Sequence, residues 1–332
     1  MNEYIGYNYQ LAGVQKYELL ESKAQGMKFY HAKNGLGLEM DISLNRNGDI
    51  SNLSYRGYNL NYLSPCGYVN SSYYDKKDNG FLSSFTAGFL TTCGLTTFGS
   101  PSIDDGVELG LHGNISNTPT ENSSYEILDD KIIIKTLTLD ENIFSYKLSL
   151  NRKITLSLKE NSFTIVDEIK NNGDSEVPLM VLYHMNLGYP LLDEDLLLYI
   201  NYKNIRGRNE LASSELDKAN TLLKPTKNYI ERCYYYEMND NPFAAVFNKK
   251  LDFGVKISYK KENLDSFTEW KMMGIRDYVL GLEPGTNYPD GRKYARENNT
   301  LKFIKPNETK TFEIKVEMID NLDKYLSLTK EN

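Results

Sequence analysis

A chain of 332 residues with 38 Lys and Arg against 45 Asp and Glu carries a net charge of −7, which excludes the basic surface that phosphate backbones require. Its 40% hydrophobic and 25% charged residues match a water-soluble globular protein, and no apolar run approaches the roughly 20 residues of a membrane helix. The three cysteines, far apart and without a CxxC pair, fit a reducing compartment better than a disulfide framework.

The first residues, MNEYIGYNYQL, have neither a basic leader nor an apolar stretch behind it, so a cytoplasmic protein without a signal peptide is expected. Residues 9–22 have room for a short helix, without the clean 3.6-residue period of a helical domain. His31, in KFYHAKNG, is read as structural. LNRNGDI reads as a tight turn in which Asn47 tolerates a left-handed backbone. Cys93, in FLTTCGLTT, is read as a small buried hydrophobe ahead of a pocket-lining thiol. Then comes DDGVELGLHGNISNTPTEN, residues 104–122, which sets His112 in a Gly-flanked loop crowded with carboxylates, amides and hydroxyls. A titratable imidazole among such groups suits a polyhydroxylated ligand.

From residue 131 apolar and polar residues alternate. KIIIKTLTL (131–139), IFSYKLSLNRKITLSL (143–158) and FTIVDEIKN (163–171) are separated by short breaks rich in Asp, Asn, Glu and Ser. This predicts an antiparallel meander with one buried face. LYHMNLGYPLLDE follows, with His184 and Asn186, and residues 209–223 have room for a second short helix. The alternating texture returns in FGVKISYKK (253–261) and TFEIKVEMID (311–320), on either side of DYVLGLEPGTNYPDGR with Glu283. Pro284 biases Glu283 towards an extended backbone at a strand end. No linker or repeat divides the chain, so one all-β sandwich domain over residues 1–332 is expected. Two histidines and a carboxylate in loop-like segments far apart in sequence point to one composite site.

Four segments in this order carry a family resemblance: residues 10–65, GFLTTCGLTTFGSPSIDDGVELGLHGNISNTPTEN, LYHMNLGYPLLDE and EWKMMGIRDYVLGLEPGTNYPDGR. Over roughly residues 10–315 the chain resembles the galactose mutarotase (aldose 1-epimerase) superfamily, and within it the DUF4432 branch. The resemblance implies a β-supersandwich of large, twisted antiparallel sheets with a sugar in an open cleft. It implies His112 as the imidazole that positions the sugar, His184 as general acid and Glu283 as general base. The superfamily's sugar-binding aspartate and arginine have no clear counterparts. Arg46 fits the branch pattern, while Asn117, Asn186 and Asn287 stand as candidate hydroxyl-binding groups. Lys271 and Arg276 stand between sugar contact and structural ion pair. Trp270, the single tryptophan, is read as core packing ahead of a stacking platform.

The implied reaction opens a cyclic hemiacetal and closes it on the other face. It needs a proton taken from the anomeric hydroxyl and one delivered to the ring oxygen, which a carboxylate and an imidazolium on opposite sides of the ring supply. Proximity of the two is expected to favour the charged pair near neutral pH. No metal-ligand spacing such as HxH or HExxH is present, so no metal and no cofactor are expected. The expected partner is a monosaccharide or sugar derivative, with the oligomeric state open and no nucleic acid or membrane involved. The alternatives are a carbohydrate-binding module without catalysis and another proton transfer on a keto-sugar.

Overall fold

The computed structural model describes residues 3–330; residues 1, 2, 331 and 332, at the edges of the expected domain, lie outside them. Its frame is three antiparallel sheets of five, six and eight strands. The eight-stranded sheet contains the expected meander. Lys131–Glu141, Lys147–Ser157 and Ser162–Asn171 pair in sequence order, and Thr309–Ile319 and Phe253–Tyr259 extend them. Period-two burial confirms the pattern: Ile132, Ile134, Thr136, Thr138 and Asp140 point inward from one strand. Residues 143–146 form a hairpin tip instead of strand, with Ile143 and Phe144 fully in solvent.

The six-stranded sheet runs Tyr202–Gly207, Arg232–Met238, Ser266–Met273, Tyr278–Gly285, Leu182–Leu187, Leu90–Cys93. Two of its central strands, Leu182–Leu187 and Tyr278–Gly285, are buried at every position. Both faces are therefore covered. Tyr183, Met185, Leu280 and Leu282 join the main core shared with the eight-stranded sheet. Residues of the other parity, His184, Glu283 and Val279, face a cap of loops, where Val279 packs with Tyr62, Phe81 and Phe85.

One guanidinium ties the three sheets together. Arg152, on the eight-stranded sheet, donates to both carboxylate oxygens of Asp167 (2.9 and 2.7 Å) and to Asp49 of the five-stranded sheet (2.6 Å). It also donates to Thr92 Oγ1 of the six-stranded sheet at 2.7 Å, and Tyr183 completes the group by donating its hydroxyl to Asp167.

Two helix expectations fare differently. Residues 9–22 hold no α-helix: after a 3₁₀ turn at Asn8–Gln10, Gly13–Glu18 pairs along its whole length with Lys28–Lys33, and this pairing overrides the weak local helical signal. Within 209–223 one α-helical turn forms at Glu210–Ser213, capped by the Asn209 side chain on Ala212 N–H (2.9 Å), and a 3₁₀ turn follows at Leu216–Lys218. The helices Arg292–Glu297 and Leu322–Leu328 were not expected. Asn47 does take the left-handed backbone, at φ 56°. His31 sits on a half-buried strand with Nδ1 2.7 Å from Asp41, a structural pairing. Cys93 is buried with Phe98, Met180 and Leu182, a small hydrophobe.

Candidate active site

The site is written in strand register. Thr268 stands opposite Glu283 across one strand pair, and His184 opposite Thr91 across another. Leu182 opposite Gly285 and Met185 opposite Leu282 bracket His184 and bring it against Glu283. The register leaves Glu283 Oε1 3.3 Å from His184 Nε2, in contact but not aligned as a hydrogen bond. His184 therefore comes from a strand and not from the loop-like position expected for it, while Glu283 stands near a strand end, as Pro284 predicts.

His112 approaches from the loop cap. Its backbone is left-handed, at φ 61°, a strained state for a residue of this size. Two hydrogen bonds hold it there: His112 N–H donates to Gly99 O and Gly94 N–H donates to His112 O, both at 3.1 Å. Tyr74 pins the next residue by donating its hydroxyl to Gly113 O at 2.8 Å. The His112 and His184 rings meet edge to face with centroids 5.7 Å apart, and Phe81 lies 5.1 Å from His112.

These groups line a cavity of about 310 Å³, at the small end of the range for ligand sites. Trp270 forms one wall, 5.2 Å from the His184 ring; partly buried, it packs against the cluster of Tyr62, Phe81, Phe85 and Val279 as expected and also lines the cavity. The cavity also holds an arginine and a second carboxylate that the sequence did not reveal, Arg208 and Glu231. They are the first and last residues of the excursion between the strands Tyr202–Gly207 and Arg232–Met238. Arg208 donates to Ser100 Oγ at 2.8 Å, and its Nε lies 3.5 Å from Asp290. Glu231 accepts the Trp270 indole N–H at 2.7 Å. Each flanks a strand on the sheet that carries His184 and Glu283, a placement that no local motif signals.

None of the six residues expected to bind substrate lines the cavity. Arg46 is buried elsewhere and donates to Val69 O at 3.1 Å; burial lowers its guanidinium to about 10. Lys271 donates to the carbonyls of Lys218, Ala219 and Thr221, where it fastens the middle of the 208–231 excursion. Asn287 bridges Thr286 and Thr300, and Asn117 accepts from Ser84. Asn186 points to the His184 side of the sheet, but its amide is taken up by the carbonyls of Gly88 and His184. Arg276 is exposed in a tight turn at φ 69°. Most of these groups are taken up by a backbone carbonyl, a neighbouring side chain or solvent, while Asn186 Oδ1 and Arg46 Nη2 stay buried without a partner among the described residues.

Enclosure sets the electrostatics. Burial, then the neighbouring His112, lowers the His184 imidazole to about 3; enclosure, then Arg208, lowers His112 to about 4. Burial, then Glu231, pushes Glu283 well above the usual carboxylate range. All three shifts favour the neutral form. The His184 and Glu283 shifts both run against the expected charged pair, and desolvation is the largest cause on each group. The pocket leaves these groups short of partners: His112 Nδ1, His184 Nδ1, Glu283 Oε1 and Thr268 Oγ1 are buried atoms with no hydrogen bond among the described residues. Among the described residues no group of three His, Cys, Asp or Glu side chains is placed to hold a metal ion. Among the described residues no helix is long and apolar enough to cross a membrane.

Residues 24–318 match the family model described as "Domain of unknown function (DUF4432)". The chain belongs to the DUF4432 family, within the galactose mutarotase-like (aldose 1-epimerase) superfamily. A candidate aldose 1-epimerase from Klebsiella pneumoniae shares this fold at a TM-score of 0.90 and 25% identity, over 96% of this chain and 86% of its own. A galactose mutarotase-like protein from Clostridium acetobutylicum (TM-score 0.66, 16% identity, 94% and 100% covered) resembles the DUF4432 chain in fold. So does a galactose 1-epimerase from Lactobacillus acidophilus (TM-score 0.63, 13% identity, 94% and 100% covered). No curated protein matches the chain significantly.

Proposed function

We propose that this DUF4432 protein is a sugar isomerase of the aldose 1-epimerase kind, interconverting the anomers of a free sugar or sugar derivative. One observation carries the reading: His112, His184, Glu283 and Thr268 line a single cavity of about 310 Å³, and each has a buried polar atom without a partner among the described residues. Of the sixteen buried side-chain atoms without a partner among the described residues, four belong to residues lining this one cavity, and that concentration supports a polar ligand here. A pyranose presents hydroxyls for the open atoms and carbon faces for Phe85 and Trp270, whose rings flank His184 at 5.5 and 5.2 Å.

In this mechanism Glu283 takes the proton of the anomeric hydroxyl. The C1–O1 bond gains carbonyl character, the C1–O5 bond breaks with its electron pair passing to O5, and His184 delivers a proton there. Rotation about C1–C2 and closure from the other face reverse the roles. Each proton transfer contributes ~10²–10⁴-fold. Starting from neutral groups is no obstacle. The neutral pair and the ion pair contain the same number of protons and differ by one transfer between Glu283 Oε1 and His184 Nε2. Sugar hydroxyls donating to the Glu283 carboxyl stabilise the carboxylate, so binding the substrate charges the pair. His112 positions the sugar at the ring oxygen, and Arg208 and Glu231 select its outer hydroxyls.

Saturation-transfer NMR between α and β anomers, over aldoses, ketoses and uronic acids, tests the reading. Acceleration of one sugar, lost by ~10²-fold or more in Glu283→Gln, is expected. Exchange that persists in a His184→Ala, Glu283→Gln double variant would sink the mechanism. Sugar-induced thermal stabilisation without exchange on any sugar would move the protein to a binding role.

A further inference from the structure

The strand Tyr278–Gly285 is buried at all eight positions, yet its fourth residue is glycine. Glycine inside a strand weakens it and marks a bulge or a close approach. Backbone conformation does not require it at 281: φ is not positive, and the residue pairs in regular register with Trp270 on one side and Asn186 on the other. The Glu283 carboxyl fills the space above it. Residues 281 and 283 share a face, and the Glu283 side chain leans back along the strand. A Cβ on residue 281 would overlap Glu283 Oε1 and stand 3.3 Å from Cδ. That same Oε1 is the atom 3.3 Å from His184 Nε2.

We infer that Gly281 is a positioning residue, whose missing side chain provides the seat from which the Glu283 carboxyl faces His184. The catalytic consequence rests on the proposed reaction; the geometry does not. The atom in the way is the far end of a flexible side chain, so the strand itself need not move. Trp270 Cβ, 3.1 Å from the added carbon, must give by a few tenths of an ångström. Gly281→Ala therefore keeps the fold and displaces the carboxyl.

The experiment compares Gly281→Ala, Glu283→Gln and the double variant. The first readout is the ring-nitrogen NMR titration of His184 in the ligand-free protein. Gly281→Ala is expected to shift the His184 signal and its midpoint, as Glu283→Gln does, at unchanged Tm. The alanine is expected to add nothing in the Glu283→Gln background. The second readout is anomer exchange on the sugar that the unaltered protein accelerates. A displacement of about 1 Å costs up to ~10²-fold, here in kcat with KM little changed, and moves the pH profile. A His184 titration identical in Gly281→Ala and the unaltered protein overturns the inference, as does an equal loss of rate with and without the Glu283 carboxylate. If no sugar is exchanged by the unaltered protein while the His184 shift appears, the reaction fails and the positioning role stands. Should Gly281→Ala not fold, Gly281→Ala with Glu283→Asp decides: the shorter acid cannot reach the seat, so folding of that double variant supports the role. Failure of both to fold shows that the glycine serves the strand, and overturns it.

Discussion

Tyr183 and His184 are neighbours on one strand and face opposite sides of the sheet. On the Tyr183 side, Arg152, Asp49 and Asp167 are buried, and every donor-acceptor pairing among them is short and direct, between 2.6 and 2.9 Å. On the His184 side, Glu283, Thr268 and both histidines each keep an atom without a protein partner. His184 and Glu283, at 5% and 2% exposure, are as deeply buried as Arg152 at 2%. Burial does not separate the structural cluster from the functional one. The two clusters differ instead in their own hydrogen bonds: the charged groups around Arg152 bind one another and hold sheets together, while each member of the His184 group keeps an atom open.

The strongest way to break this comparison is to open the closed cluster. Asp167→Asn leaves Arg152 buried against a neutral partner and is expected to cost roughly 3–5 kcal/mol of stability, measured by urea unfolding. A cost near zero would mean that the cluster does not bind the sheets. The open cluster should respond in the opposite sense. Because the folded protein holds the Glu283 proton more tightly than the unfolded chain does, Glu283 favours folding below pH 4.5 and loses that contribution as pH rises through its raised folded value. Glu283→Gln is therefore expected to gain about 0.5–2 kcal/mol near neutrality, with a smaller difference towards pH 4.5. A loss of stability at pH 7 would place Glu283 among the structural groups.

A finer test follows the three imidazoles by nitrogen-resolved NMR. The Asp41 hydrogen bond raises His31 above 6.5, whereas His112 and His184 fall to about 4 and about 3. The two pocket histidines favour folding above pH 6.5 and lose that contribution as pH falls towards their folded values. His31 favours folding below 6.5 and loses its contribution as pH rises past its raised value. A pocket imidazole titrating at or above 6.5 would contradict the neutral ground state. The smallest effect is expected at Arg276, exposed in its turn. Arg276→Ala should change stability by less than about 0.5 kcal/mol and leave anomer exchange unaltered, which separates it from Arg208.

The meander was legible because alternation at residues 131–171 is a local property, set by one buried face per strand. The pairing of Gly13–Glu18 was not, since its partner strand lies elsewhere in the chain. The same division runs through the site. His112, His184 and Glu283 stand in short motifs whose order carries the family resemblance. Arg208, Glu231 and Trp270 reach the cavity only through the lateral order of strands, a relation between distant segments that no single window contains. Lys271 shows the converse error: a lone charge near a motif looks like a ligand group until three carbonyls are found around it.

Arg208 and Glu231 open and close an excursion whose middle is fastened by Lys271, while Glu283 and His184 stand on strands. The two parts of the pocket therefore answer to different constraints in evolution. A change of length or composition between residues 208 and 231 can reshape the rim and redraw the range of accepted ligands without disturbing the register that sets the acid against the base. The excursion is where divergent specificities among relatives of this chain are expected to be recorded, and where a designer would begin to change one.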